Sequence, residues 1–123
     1  MIIGIGTDII EIERVERAVS REHFKNKVYT NNEQIYSESR GKQSAASYAA
    51  RFAAKEAFFK AIGTGIFSDL TDVEIVNDSN GKPEIFLHGK VKSFADNLGV
   101  KNIFLSMSHS KNYAVANVLI DGQ

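Results

Sequence analysis

The stretch that most narrows the folds open to this chain is SAASYAARFAAKEAFFKAIGTG, Ser44 to Gly65. Alanine is the strongest helix former and no proline interrupts the run, so one long helix is predicted from Ser44 to Ile62. Gly63 supplies the left-handed residue at which such helices commonly stop.

The rest of the chain must be arranged around that helix. Residues 2 to 10, IIGIGTDII, are β-branched and too few for a helix, which predicts a strand. From about Glu11 to Val28 the apolar residues take helical spacing. Asn31 and Asn32 are candidate caps for a short helix in NEQIYSESRG that ends near Gly41. The second half is mostly strands. DVEIVN and EIFLHG flank the turn formers DSNGKP as a hairpin, KVKSFADNLG is a short helix, and NIFLSMSHS with NYAVANVLI makes a closing hairpin. The one proline, Pro83, falls at a strand start, where a missing amide donor costs little. No repeat or linker divides the chain, and its 123 residues suit one domain, 1 to 123.

Several function classes are disfavoured. Fifteen Lys and Arg balance fifteen Asp and Glu, so no field of one sign marks a general nucleic-acid binder. There is no cysteine, which removes disulfides and thiolate chemistry and fits the cytoplasm. The opening MIIGIG lacks the basic region and cleavage site of a signal peptide. Nowhere do about eighteen apolar residues run together, so no membrane span is expected.

The reactive groups left are carboxylates, imidazole and lysine. In an extended strand Gly4, Gly6 and Asp8 share one face, which sets a carboxylate beside two positions without side chains. Asp8 is either an ion-pair or capping residue, or a ligand-site residue in space the glycines clear. On the long helix Ala49, Ala53, Glu56 and Lys60 share a sector next to the apolar stripe of Tyr48, Phe52, Phe59 and Ile62. Glu56 and Lys60 can be read as an ordinary i,i+4 pair, or as a recessed acid and base with open space above the alanines. Two carboxylates without a histidine or cysteine cluster point to a hard cation such as Mg²⁺. Gly63 explains the helix stop, while Gly65 frees backbone amides to line an anion.

In NIFLSMSHS, His109 continues the face of Ile103, Leu105 and Met107. It is either a turn residue or, with the serines at the strand end, a phosphate donor. Adjacent Ser108 and His109 point to opposite sides, so they form no hydrolytic triad. Finally, Arg14, Arg17, Arg21 and Lys25 recur at helical spacing. They form a solvated face, or a basic stripe for an acidic helical partner, with nucleic acid disfavoured because no aromatics are interleaved.

GIGTDIIEIER (4 to 14), RFAAKEAFFKAIGTG (51 to 65), GKPEIFLHG (81 to 89) and SMSHSKNYAVANVLI (106 to 120) resemble segments of the holo-[acyl-carrier-protein] synthases. These are the small bacterial type of 4′-phosphopantetheinyl transferase, and the order and spacing of the four segments span almost the whole chain. The resemblance implies an α+β fold with an antiparallel sheet packed on a long central helix and subunits assembling as a homotrimer. Phe58, on the helix side away from Phe52 and Phe59, would need cover from a neighbour.

The implied reaction moves phosphopantetheine from coenzyme A to a serine of apo acyl carrier protein, releases adenosine 3′,5′-bisphosphate, and serves fatty acid synthesis. Asp8 and Glu56 would hold Mg²⁺, and Lys60 would stabilise charge on the phosphates. Gly63, Thr64, Gly65 and Pro83 would line the nucleotide site. Ser106, Ser108 and His109 would contact coenzyme A. Arg14, Arg17 and Arg21, with Lys25 of the same stripe, would dock the carrier. Glu56, Asp8 or a metal-bound water would take the serine proton. The alternative is a non-catalytic module that binds a nucleotide or an acidic protein on the same scaffold.

Overall fold

The computed structural model describes residues 1–123. Strand β1 (Ile2–Glu11) is followed by three short helices, α1 (Ile12–Val19), α2 (Glu22–Val28) and α3 (Asn31–Glu38). A 3-10 turn at Gly41–Gln43 leads into α4 (Ser44–Ile62), the predicted alanine-rich helix, which ends on Gly63 at φ 84°. After a second 3-10 turn at Leu70–Asp72 come β2 (Val73–Asn77), β3 (Pro83–Leu87), α5 (Gly89–Leu98), β4 (Val100–His109) and β5 (Tyr113–Gly122). The fold is α+β. β1, β5 and β4 form an antiparallel sheet with β5 in the middle, and β2 and β3 form a separate hairpin.

Two local expectations need correction. Residues 11 to 28 are not one helix: the chain breaks at Ser20, whose Oγ donates to the Arg17 carbonyl at 2.6 Å, and at Arg21, which is extended at φ −95° and ψ 118°. The cap of α3 is Thr30 rather than Asn31 or Asn32. Its Oγ1 accepts from the Glu33 amide at 3.2 Å while Glu33 Oε1 accepts from the Thr30 amide at 2.9 Å, a reciprocal capping box.

Small residues decide how α4 meets the sheet. A Cβ on Gly4 would stand 1.8 Å from the Ala61 carbonyl oxygen, and one on Gly6 2.1 Å from that of Ala57. The glycines therefore clear room for the α4 backbone itself, not for a ligand. The alanines reciprocate: Ala49, Ala53, Ala57 and Ala61 are buried, so the space expected above them is filled. Ala116, Val118 and Ile120 of β5 close the same core with Phe58, Phe59, Val73, Ile75 and Val91. Burying each phenylalanine contributes roughly 1.5–3 kcal/mol. Phe58 is fully covered inside this core, so it asks for no neighbour. The bare apolar surface lies on the opposite face of the sheet, where Ile5, Ile9, Phe104 and Tyr113 are exposed.

Candidate active site

Close approach of α4 to β1 brings three of the expected residues together. Lys60 Nζ donates to Asp8 Oδ1 and to the Thr7 carbonyl, both at 3.0 Å. Lys60 is therefore not the i,i+4 partner of Glu56 that the spacing suggests, because the Gly6 contact lowers it onto the strand. The Asp8 side chain is only 14% exposed, that of Lys60 55%. Glu56 is partly buried. Burial, and then the charge of Asp8, raises its pKa above the ordinary glutamate range, while Lys60 pulls it down.

Two carboxylates close enough to disturb one another carry more negative charge than the single Lys60 balances, which favours a further cation beside them. No third His, Cys, Asp or Glu joins them, so the chain offers no all-protein cage. That donor set fits Mg²⁺, which binds through one or two carboxylates and completes its shell with water and substrate phosphate. One turn beyond Lys60, Gly63 and Gly65 have φ of 84° and 68°, with open space where each Cβ would be. Phe67 anchors this loop edge-on against Phe59, with ring centroids 5.7 Å apart.

A second cluster lies at the β4 edge. A cleft of about 260 Å³ is lined by Pro83, Ser108 and His109, which the sequence singled out, and by Tyr36, Arg40 and Arg51, which it did not. Arg51 is 2% exposed and has no carboxylate within ion-pair distance. Its Nη1 donates to Ser47 Oγ at 3.2 Å, its Nη2 to Asn77 Oδ1, and its Nε has no partner. The guanidinium lies over the Tyr36 ring at 4.3 Å. Burial lowers its pKa, opposed by the charge of Glu33. A buried cation with a free donor in a cleft is suited to an anion. The only hint in the sequence was an arginine amid alanines.

The two clusters do not meet within one chain. Asp8, Ala116 and Met107 form a row across β1, β5 and β4, so Asp8 and the β4 wall of the cleft are two strand spacings apart, roughly 10 Å. Ser106 faces the other side of the sheet, opposite Asn117 and away from the His109 face. Gly63, Thr64 and Gly65 lie outside the cleft lining.

The basic stripe is shorter than the spacing suggested, because of the break at Arg21. Arg17 bonds Glu13 at 2.7 Å, and Lys25 is held by Glu22 at 3.2 Å and Glu38 at 3.1 Å with its side chain only 17% exposed. Arg14 is exposed and makes no ion pair. Beside α2, Phe24, Phe52, Ile66 and Phe67 line an apolar groove of about 600 Å³. No helix is long and apolar enough to cross a membrane.

Comparison with known proteins gives this geometry its context. The sequence model of the 4′-phosphopantetheinyl transferase superfamily matches residues 4–118. A holo-[acyl-carrier-protein] synthase of Ruminiclostridium cellulolyticum is 50% identical over 94% of this chain and 90% of its own length. One from Fusobacterium nucleatum is 50% identical over 98% of this chain and 99% of its own. The crystal structure of a holo-(acyl-carrier-protein) synthase from Bacillus anthracis, in complex with CoA (3′,5′-ADP), superposes with a TM-score of 0.82 at 37% identity, covering 100% of this chain and 99% of that one.

Proposed function

The chain belongs to the 4′-phosphopantetheinyl transferase superfamily and transfers phosphopantetheine from coenzyme A to apo acyl carrier protein, and from that premise we propose how its residues divide the work. Asp8 and Glu56 hold Mg²⁺. When bound, the ion neutralises pyrophosphate oxygens and fixes their position. Lys60, already hydrogen-bonded to Asp8, turns its remaining proton toward the same oxygens and steadies the charge that grows on the leaving group. Gly63, Thr64 and Gly65 edge the pyrophosphate.

The serine oxygen of the carrier attacks the phosphorus nearer the pantetheine. The bond to the bridging oxygen breaks, adenosine 3′,5′-bisphosphate departs, and the serine proton is lost to a base. Catalysis is mainly positioning and electrostatics, as in other phosphoryl transfers. The cleft of Arg51, Arg40, Ser108, His109 and Pro83 takes the nucleotide end of coenzyme A, with its 3′-phosphate at the unpaired guanidinium. The observation that carries this reading is the Asp8–Glu56 pair with Lys60 locked onto Asp8.

Asp8 and the β4 wall of the cleft lie on opposite sheet edges, and in this reading a complete site pairs one subunit's acids with another's cleft. A homotrimer, built through the bare sheet face around Ile5 and Phe104 with α4 as each subunit's central helix, supplies that juxtaposition. The carrier docks by its acidic helix on Arg14, Arg17 and Arg21, with the groove at Phe24 and Phe52 taking its apolar side. The enzyme works in the cytoplasm and serves fatty acid synthesis.

Incubation with apo acyl carrier protein, coenzyme A and Mg²⁺ should add the mass of one phosphopantetheine group to the carrier. Asp8→Ala and Glu56→Ala should remain folded and lose both turnover and Mg²⁺ binding. Wild-type metal affinity in both variants would remove them as ligands.

A further inference from the structure

Behind the cleft wall lies a buried ion pair that the proposed transfer chemistry does not use. Lys55 is fully buried. Its Nζ spends all three donors, on Glu33 Oε1 at 2.8 Å, the Leu70 carbonyl at 2.9 Å and the Val73 carbonyl at 2.7 Å. Glu33, 1% exposed, accepts in addition from the Thr30 amide at 2.9 Å and the Ile75 amide at 2.8 Å. The pair thus ties together α3, α4, the turn before β2, and β2 itself. Burial holds the Lys55 pKa below the ordinary lysine range, and the charge of Glu33 opposes this.

As a source of stability the pair is a poor choice, since apolar residues of similar volume often serve as well or better. What it specifies is alignment. One helical step from each anchor lies a wall of the cleft: Tyr36 is three residues from Glu33 on α3, and Arg51 four residues before Lys55 on α4. Asn77 is two residues past Ile75 on the same face of β2. Arg51 stacks on Tyr36 and donates to Asn77, so its position follows from the relative setting of those three elements.

We propose that the buried Lys55–Glu33 pair is a positioning device for the cleft, fixing α3, α4 and β2 so that the Arg51 guanidinium meets a phosphate monoester. This rests on the reading of the cleft as the seat of the 3′-phosphate. The chemistry at Glu33 is demanding, because every group that meets it is a donor. Glutamine has the same shape but must turn its NH₂ toward an N–H, which pushes one element away.

The test compares the affinities of adenosine 3′,5′-bisphosphate and adenosine 5′-monophosphate by calorimetry, with folding followed by circular dichroism. In Glu33→Gln the preference for the bisphosphate should fall about tenfold, equivalent to about 1.4 kcal/mol, while the monophosphate affinity holds. The double variant Glu33→Met/Lys55→Met, which leaves no unpaired charge and is expected to fold, should lose the same preference. A folded variant of either kind that keeps the wild-type preference overturns the proposal. Arg51→Ala separates the two levels. If it too keeps the preference, the cleft reading falls and the proposal with it. If it abolishes the preference while the pair variants do not, only the positioning device is refuted.

Discussion

Substituting Gly6 by alanine should disable the catalyst without touching a reactive group. The added Cβ would stand 2.1 Å from the Ala57 carbonyl oxygen, 2.7 Å from the Ala61 nitrogen and 3.0 Å from Lys60 Cβ. The first two obstacles are backbone, so no rotamer relieves them and trimming Ala57 to glycine would not help. To bring the oxygen contact out to the 3.0 Å that Cβ atoms tolerate, α4 must lift by about 1 Å. Overpacking of this kind costs roughly 1–3 kcal/mol. For a chain of this length that lowers Tm by roughly 4–12 °C. The larger effect is geometric: the lift carries Glu56 and Lys60 away from Asp8, and a 1 Å misplacement can cost about 100-fold in rate. Thermal unfolding, Mg²⁺ calorimetry and carrier modification by mass spectrometry read the three effects. A Gly6→Ala protein with wild-type melting and turnover would refute the idea that β1–α4 contact sets the site.

Four further outcomes follow from the same geometry. Because burial and then Asp8 raise the folded-state pKa of Glu56, its contribution to stability is present at low pH and lost as pH rises through that pKa. Metal-free Glu56→Gln should therefore melt no lower than wild type at neutral pH, and a clear drop in Tm would count against the assignment. Since a metal ligand must be deprotonated, wild-type Mg²⁺ affinity should weaken as pH falls toward 4.5, beginning above the usual glutamate range, and calorimetry giving a flat profile would be the contrary result. Arg14→Glu should weaken carrier binding about tenfold or more and leave coenzyme A binding nearly unchanged, and equal losses would argue against a separate docking face. Ile5→Asp or Phe104→Asp should shift sedimentation to the monomer and remove turnover, whereas an active monomer would contradict a site shared between subunits.

The order of strands and helices was readable because hydrophobic period, glycine stops and turn residues are local signals. Ser44, Ile62, Gly63 and Pro83 fall where those signals put them. The candidate acid site was half readable. Alternation placed Asp8 on the face of Gly4 and Gly6, but sequence alone could not say that the glycine space belongs to α4, and so missed that Lys60 turns to Asp8. Helical spacing also continued past Ser20 in the letters but not in the backbone, which shortened the basic stripe. Arg51, Lys55 and Glu33 escaped notice because charges on a helix are solvated by default. Only the tertiary fold reveals that Lys55 and Arg51 of α4 are turned inward, where they depend on α3 and β2.

β5 carries no residue assigned to chemistry, yet the strand of Asp8 is paired to one of its edges and the strand of Ser108 and His109 to the other. Its Ala114, Ala116, Val118 and Ile120 are wholly buried, and it is the one strand of the sheet hydrogen-bonded on both sides. Its amides should be the last of the sheet to exchange with solvent, while β1 and β4 can each fray from it separately. The two halves of the site would then open on independent clocks, one governed by the peeling of β1 and the other by that of β4.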